Sequence, residues 1–319
     1  MIYAQTDSAG VPRLDIGAWL ESGFDWLEST FQPFFDVLSI VLRTLTDSWL
    51  GALLNWPDAL LMAAIFALIG LLVRGWQLGL LSIALMLFII SVDQWENAVD
   101  TLAMVIVATF FALVVAIPVG VLAAKSQRVS QVVRPIMDLM QTMPAFVWLI
   151  PVLTLFGLNI TAGLVATFIF CLPPGVRFTE LGIRQVDSEV VEAGHAFGSN
   201  PTQILFRIQL PLAVKTIMAG VGQVIMLALS MAVIAGFVGA GGLGGEVTRA
   251  IMTIDLALGF EAGLSVVMLA VYLDRVTAAI SGGDGLLIQL LRRGRKSSTA
   301  AAEADAQPAA PQKGAVPTQ

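Results

Sequence analysis

The sequence predicts an all-α, polytopic transmembrane helix bundle. Its 319 residues are 57% hydrophobic and only 13% charged, with a mean hydropathy of +0.85. A soluble domain carries about 25% charged residues, and a water-soluble fold of this size has too little interior to hide so much apolar surface. Segments 101–124, 139–176 and 216–245 contain no Asp, Glu, Lys or Arg. Each exceeds the roughly 20 residues needed to cross a hydrocarbon core about 30 Å thick. The basic residues fall in short clusters between the apolar runs, as expected where membrane segments alternate with aqueous loops.

Residues 1–57 lack the basic start of a secretory signal, and the first long apolar run begins only after Asp58. Within this segment Leu20, Phe24, Leu27, Phe31, Phe34, Leu38, Val41 and Leu45 recur every three or four positions, with acidic residues between them. That period predicts an amphipathic helix, on the outer membrane surface or packed on the bundle; the competing reading is a docking arm for an outside partner. Residues 58–98 read as two peripheral transmembrane helices, over 59–73 and 75–92, flanked by Trp56, Trp76 and Trp95. Tryptophan suits the interface because its ring is apolar and its N–H seeks water.

Residues 99–281 read as the core. Segment 139–176 is long enough for two helices, with a turn at Gly157–Leu158–Asn159–Ile160–Thr161. Segment 216–245 ends in glycines, and a last span over 256–273 is interrupted by Glu261. Seven spans result. Starting from an outside N-terminus, fourteen of the 17 Lys and Arg residues fall inside and only Arg13, Arg43 and Arg249 outside, which sets an N-out, C-in orientation. Residues 282–319 are expected to be a cytoplasmic, largely disordered tail, rich in Ala, Pro, Gln and Ser from Ser297.

The longest inside loop of the core runs from Arg177 to Lys215. Ser188 before Glu189–Val190–Val191–Glu192 marks a helix start, and Gly198 followed by Ser199–Asn200–Pro201 marks its stop. Residues 202–208 can form a second short helix, ended by Pro211. Together they give a helix–turn–helix close to the membrane.

Glu192–Ala193–Gly194, then Gly198, Ile208 and Leu210–Pro211 resemble the EAA loop, within 189–211, of ABC-importer permeases. One position departs from that pattern: Gly194 stands where alanine is usual. The resemblance continues at Asp138–Leu139–Met140–Gln141–Thr142–Met143–Pro144–Ala145–Phe146, at Leu172–Pro173–Pro174–Gly175–Val176–Arg177, and at Met226–Leu227–Ala228–Leu229–Ser230–Met231 with Gly241–Gly242–Leu243–Gly244. These segments are similar to the glycine betaine/proline (quaternary amine) permease family over roughly 99–271. The resemblance implies a type I permease core with a cytoplasmic coupling helix, working as a homodimer beside two copies of a separate ABC ATPase and fed by an extracytoplasmic binding protein. It implies transport of compatible solutes across a bacterial inner membrane. Glu192, Ala193, Gly194, Gly198, Ile208, Leu210 and Pro211 would then seat the loop in the ATPase.

Other signals were weighed against this. Gly239-x-Gly241-x-x-Gly244 matches a dinucleotide fingerprint in letters only, because that motif needs a preceding strand; here it reads as a turn or a close backbone contact at an external gate. No Gly-x-x-x-x-Gly-Lys-Ser/Thr phosphate loop occurs, so ATP hydrolysis is assigned to a partner and the chain is not read as an enzyme. His195 is the one histidine and Cys171 the one cysteine, which leaves no multi-histidine metal site and no internal disulfide. No cofactor is expected. The acidic balance, with a net charge of −6, argues against a nucleic-acid partner. Pro118, Pro144, Pro151 and Pro173–Pro174 fall within apolar runs and are expected to bend or break helices. Met140, Thr142, Met143 and Ser230 are the candidates for lining a translocation path beside such a break. The competing function, an ion-coupled secondary transporter of small zwitterionic solutes, would call for buried ionisable groups at the bilayer midplane within an internal repeat.

Overall fold

The computed structural model describes residues 15–282, so the tail expected beyond Gly282 lies outside the described residues. Helix α1 (Ile16–Arg43) runs through a π-helical turn, Thr44–Gly51, into α2 (Ala52–Asn55). Of the ridge that the three-to-four spacing predicts, Phe24, Leu27, Leu38 and Leu45 are half-buried, whereas Leu20, Phe31, Phe34 and Val41 are exposed. The helix is longer than the spacing alone requires, and its second half belongs to the bundle: Leu42 is buried, while Leu38, Leu45, Leu50 and Leu54 pack on the core. Trp19, Trp26 and Phe34 remain exposed on the first half. The one distorted residue inside α1, Phe31, lies two positions before Pro33, whose ring displaces the preceding turn.

Helices α3 (Ala59–Arg74) and α4 (Trp76–Ser91) form a hairpin of 16 residues per arm. Each arm is therefore roughly 24 Å long, short of the ~30 Å hydrocarbon core. Gly75 makes the turn at a φ of +98°. The hairpin docks on the last helix, where the Tyr272 hydroxyl donates to the Phe66 carbonyl at 3.4 Å and their rings meet edge-on at 5.4 Å.

The core begins with α5 (Trp95–Lys125). Next come α6 (Gln127–Thr142) and α7 (Ala145–Phe156), bent 99° from each other at Met143–Pro144. Here the structure corrects the expected division of 139–176. The helix before the Gly157 turn starts at Ala145 and has only 12 residues, while residues 139–142 belong to a different, more polar helix. The turn itself is as expected: Gly157 has a φ of +70°, and the Asn159 side chain caps α8 (Ile160–Arg184) by accepting from the Ala162 N–H at 3.1 Å.

The chain then makes α9 (Ser188–Ala196), α10 (Pro201–Ile204), a π-helical turn Leu205–Gln209, α11 (Leu210–Ile234), a 3-10 turn Ala235–Val238, α12 (Gly242–Thr253) and α13 (Leu256–Gly282). Pro211 does not end a helix. Residues Pro201–Val238 form one continuous 38-residue rod, because the wider π turn immediately before Pro211 accommodates a residue with no N–H to donate. Pro118, Pro151, Pro173 and Pro174 are likewise carried inside unbroken helices. Of the prolines in apolar runs, only Pro144 stands at a break.

Among the described residues, five helical rods are long and apolar enough to cross a bilayer, and the bent α6–α7 pair would make a sixth. Gly17–Asn55, expected to lie outside the spans, is one of the five, whereas the hairpin α3–α4, expected to supply two of seven spans, is too short to be counted. Helix α8 lies at their centre, between α5 and α11. The three approach closely because glycines face their neighbours: a Cβ on Gly120 would lie 2.5 Å from the Thr179 Cβ, one on Gly175 would lie 2.7 Å from the Ala116 Cβ, and one on Gly220 would lie 2.5 Å from the Phe178 Cβ. Small residues let membrane helices gain van der Waals contact where lipid offers no hydrophobic drive. Gly220→Val is therefore expected to lower stability by about 1–3 kcal/mol through overpacking. Gly263→Ala, with nothing within 4 Å of its would-be Cβ, should leave the melting temperature unchanged or slightly raised. Thermal melts in detergent decide between them.

Candidate functional site

The loop after α8 is built from local signals. The Asp187 carboxylate caps α9 by accepting from the Glu189 N–H at 2.9 Å. Gly198, at a φ of +79°, ends it in a Schellman arrangement in which Ser199 N–H donates to the Gly194 carbonyl at 3.1 Å. Asn200 and Gln203 then cap α10 reciprocally, at 2.8 and 3.1 Å. The structure brings the sequence-predicted residues together on two sides of this small unit. Gly194 is buried against Ile204 and Ile208, while Glu192, Ala193, Gly198 and Pro211 are exposed and Leu210 is half-buried. His195 is exposed too. A Cβ on Gly194 would lie 2.7 Å from the Ile208 Cδ1, so glycine here lets α9 sit directly on the rod that begins at Pro201.

Sequence reasoning missed Phe197, which is 89% exposed. It lies on one helical ridge with Val190 and Ala193, at spacings of three and four. The signal was an aromatic at the end of a short polar helix, where no core position requires one.

Beside the loop lies a polar knot that was also missed. The Glu180 side chain is only 6% exposed, yet three donors converge on its Oε1: Ser130 Oγ at 2.8 Å, Arg134 Nη2 at 2.9 Å and Arg184 Nε at 2.9 Å. Arg184 also donates to the Ala123 carbonyl at 2.9 Å and to Gln127 Oε1 at 3.1 Å. One helical turn further along α6, Asp138 pairs with Arg177. Apart from Glu180–Arg184, an i,i+4 pair on α8, these partners lie 39 to 61 residues apart in sequence, which is why no local pattern announces the knot.

At the other end of the long rod lies the glycine turn. Gly239, Gly241 and Gly242 hold φ values of +78°, +75° and +59°, a region that favours glycine. The Leu243 N–H, at the start of α12, donates to the buried Thr101 Oγ1 at 2.8 Å. Gly236 packs backbone to backbone against Gly244. Gly239-x-Gly241-x-x-Gly244 is thus a turn and a close helix contact. Phe146, at the start of α7, meets Phe237 beside this turn with ring centroids 5.5 Å apart, and both rings are exposed.

The four path candidates occupy different settings. Met140 packs with Ala116, Met137 and Val176, and its carbonyl accepts from Trp148 Nε1 at 3.2 Å. Thr142 is exposed and Met143 half-buried, at the 99° break. Ser230 lines a groove of about 270 Å³ between α11 and α13, its hydroxyl donating to the Met226 carbonyl at 3.0 Å.

Replacing Glu180 by Ala would remove the acceptor shared by Ser130, Arg134 and Arg184, of which Arg184 keeps its bonds to Ala123 and Gln127. That should cost about 1–3 kcal/mol. Asp138→Ala, which removes only an exposed pair, should stay within about 1 kcal/mol. Chemical or thermal unfolding of the detergent-solubilised chain reads the difference.

Comparison with known proteins places this geometry. Residues 116–281 match the family described as "Binding-protein-dependent transport system inner membrane component". The chain is 41% identical over 267 residues to the glycine betaine/proline betaine transport system permease protein ProW of Escherichia coli (strain K12), covering 84% of this chain and 75% of that one. It is 41% identical over 270 residues to the glycine betaine transport system permease protein OpuAB of Bacillus subtilis (strain 168), covering 85% and 95%. Among solved structures, one of the inward-facing MetNI methionine ABC transporter aligns with a TM-score of 0.53 at 23% identity, covering 59% of this chain and 95% of the matched chain.

Proposed function

The chain belongs to the binding-protein-dependent transport system inner membrane component family, and on that premise we propose which of its surfaces perform each part of transport. It is a multi-pass inner-membrane permease subunit of an ATP-binding cassette importer. Family membership does not favour an ion-coupled secondary transporter.

The proposed coupling surface is α9. The observation that carries it is the exposed ridge of Val190, Ala193 and Phe197 beside Glu192, on a helix seated through Gly194 on the Pro201–Val238 rod. An exposed aromatic on a rigid, capped helix is the kind of anchor that dominates a protein interface. Glu192 supplies a charge at its edge for register. ATP hydrolysis then takes place in two partner ATPase subunits, and this chain works as a homodimer. The N-terminus is outside and the C-terminus inside, because fourteen of 17 basic residues then face the cytoplasm. Of the domain divisions, 1–57 serves as an extracytoplasmic segment, 58–98 as a peripheral hairpin, and 99–281 as the permease core.

The substrate is a quaternary amine of the betaine type, delivered by an extracytoplasmic binding protein. This rests on the relatives' substrates, glycine betaine and proline betaine. The exposed Phe146–Phe237 pair adds aromatic surface of the kind that attracts such cations. Met140, Thr142, Met143 and Ser230 contribute to the path walls, with Phe237 and the glycine turn at its outer end.

Uptake of labelled glycine betaine into liposomes carrying the permease, its ATPase and the binding protein tests the assignment. Phe197→Ala should weaken ATPase binding roughly tenfold or more, and Glu192→Arg should abolish stimulation of hydrolysis by loaded binding protein. Unchanged stimulation in both variants rules out α9 as the coupling surface. A cysteine introduced at Phe197 should react with impermeant reagent only in inside-out vesicles; labelling from outside reverses the orientation.

A further inference from the structure

We infer that the polar ladder between α6 and α8 is the link that carries movement of the α9 loop to the break at Met143–Pro144, with Glu180 as its central positioning residue. This rests on reading α9 as the ATPase contact.

The ladder has three levels in antiparallel register. Gln127 meets Arg184, Ser130 and Arg134 meet Glu180, and Asp138 meets Arg177. On α6 the last three recur every fourth residue, so they lie on one face. From Gln127 to Asp138 the contact runs roughly 17 Å along the helix. One end lies at Arg184, four residues before the start of α9. The other end lies at Asp138, four residues before the end of α6 at Thr142, where the 99° bend into α7 begins.

The composition of α6 makes the ladder decisive for its position. Of its 16 residues only Ser130 and Met137 are buried, and Ser130 is itself a rung. The apolar packing of α6 is one small cluster, in which Val133, Met137 and Met140 meet Ala116, Val119, Leu172 and Val176. By contrast, α5 and α11 are locked onto α8 through glycine contacts that leave no room to slide. A displacement at the α9 end of α8 therefore reaches α6 through charged and hydrogen-bonded groups that hold a fixed register. Helix α6 also packs on α5, and its far end leads into α7, whose first turn carries Phe146 against Phe237. Paired charges reward one register and penalise a slipped one, which apolar contacts do weakly.

The test uses the importer reconstituted in liposomes with its ATPase and binding protein, reading substrate transported per ATP hydrolysed. Asp138→Arg and Arg177→Asp each place like charges opposite one another at an exposed rung. Each should lower that ratio roughly fivefold while the thermal midpoint barely moves. The double variant D138R/R177D exchanges the charges and should restore the ratio. Glu180→Gln keeps the shape and removes the charge, and should lower the ratio in the same direction. Unaltered ratios in the single variants overturn the inference. So does a double variant no better than either single one. If Glu192→Arg uncouples transport while the ladder variants do not, the link alone falls. If no complex with an ATPase forms at all, the reading of α9 falls first and takes the link with it.

Discussion

The packing of α8 between α5 and α11 is the constraint on which the rest of the molecule depends. Three glycines remove the side chains that would hold these helices apart, and Cβ atoms at those positions would overlap their neighbours. In lipid, apolar surface gains nothing by leaving the solvent, so contact must come from close fit. The fit leaves α8 rigidly centred, with Pro173 and Pro174 buried inside it.

Two elements leave that centre in opposite ways. The Pro201–Val238 rod starts under the α9 loop and ends at the glycine turn, so the proposed coupling surface and that turn share one uninterrupted backbone. The π turn before Pro211 keeps it uninterrupted. The α6–α7 pair instead turns sharply at Met143–Pro144 and is tied back to α8 by charge. On the reading proposed above, a stiff rod and a jointed one, both packed on α8, are parts from which a device that opens one side while closing the other can be built.

Much of this was legible in the sequence, for identifiable reasons. The spans were visible because a membrane forces long uncharged runs. The α9 unit was visible because its capping residues, Asn200 and Gly198 among them, act within a few positions of themselves. The Gly157 and Gly239 turns were visible because glycine has few other reasons to interrupt an apolar run. What escaped was non-local. Glu180 has one partner within reach of a local pattern, Arg184, while Arg134 and Ser130 are 46 and 50 residues away. Pro211 looked like a stop, since no pattern distinguishes a proline that ends a helix from one that follows a π turn. The break at Pro144 was legible from the proline itself, but the membership of residues 139–142 in α6 was not, because residues 139–156 are uniformly uncharged. Phe197 escaped because its one signal, an aromatic at the end of a short polar helix, does not by itself say that the ring is exposed, at 89%.

The register of the ladder also constrains how this gene can vary. Each residue added to or removed from a helix turns everything beyond it by about 100°. A one-residue insertion between Ser130 and Asp138 would carry the distal rungs off the α8 face together, whereas a substitution disturbs one rung at a time. The stretch from Gln127 to Thr142 can therefore drift in letters far more readily than in length. Among diverging copies of this chain, gaps should collect in the segments outside it, and α6 should keep a constant count of residues.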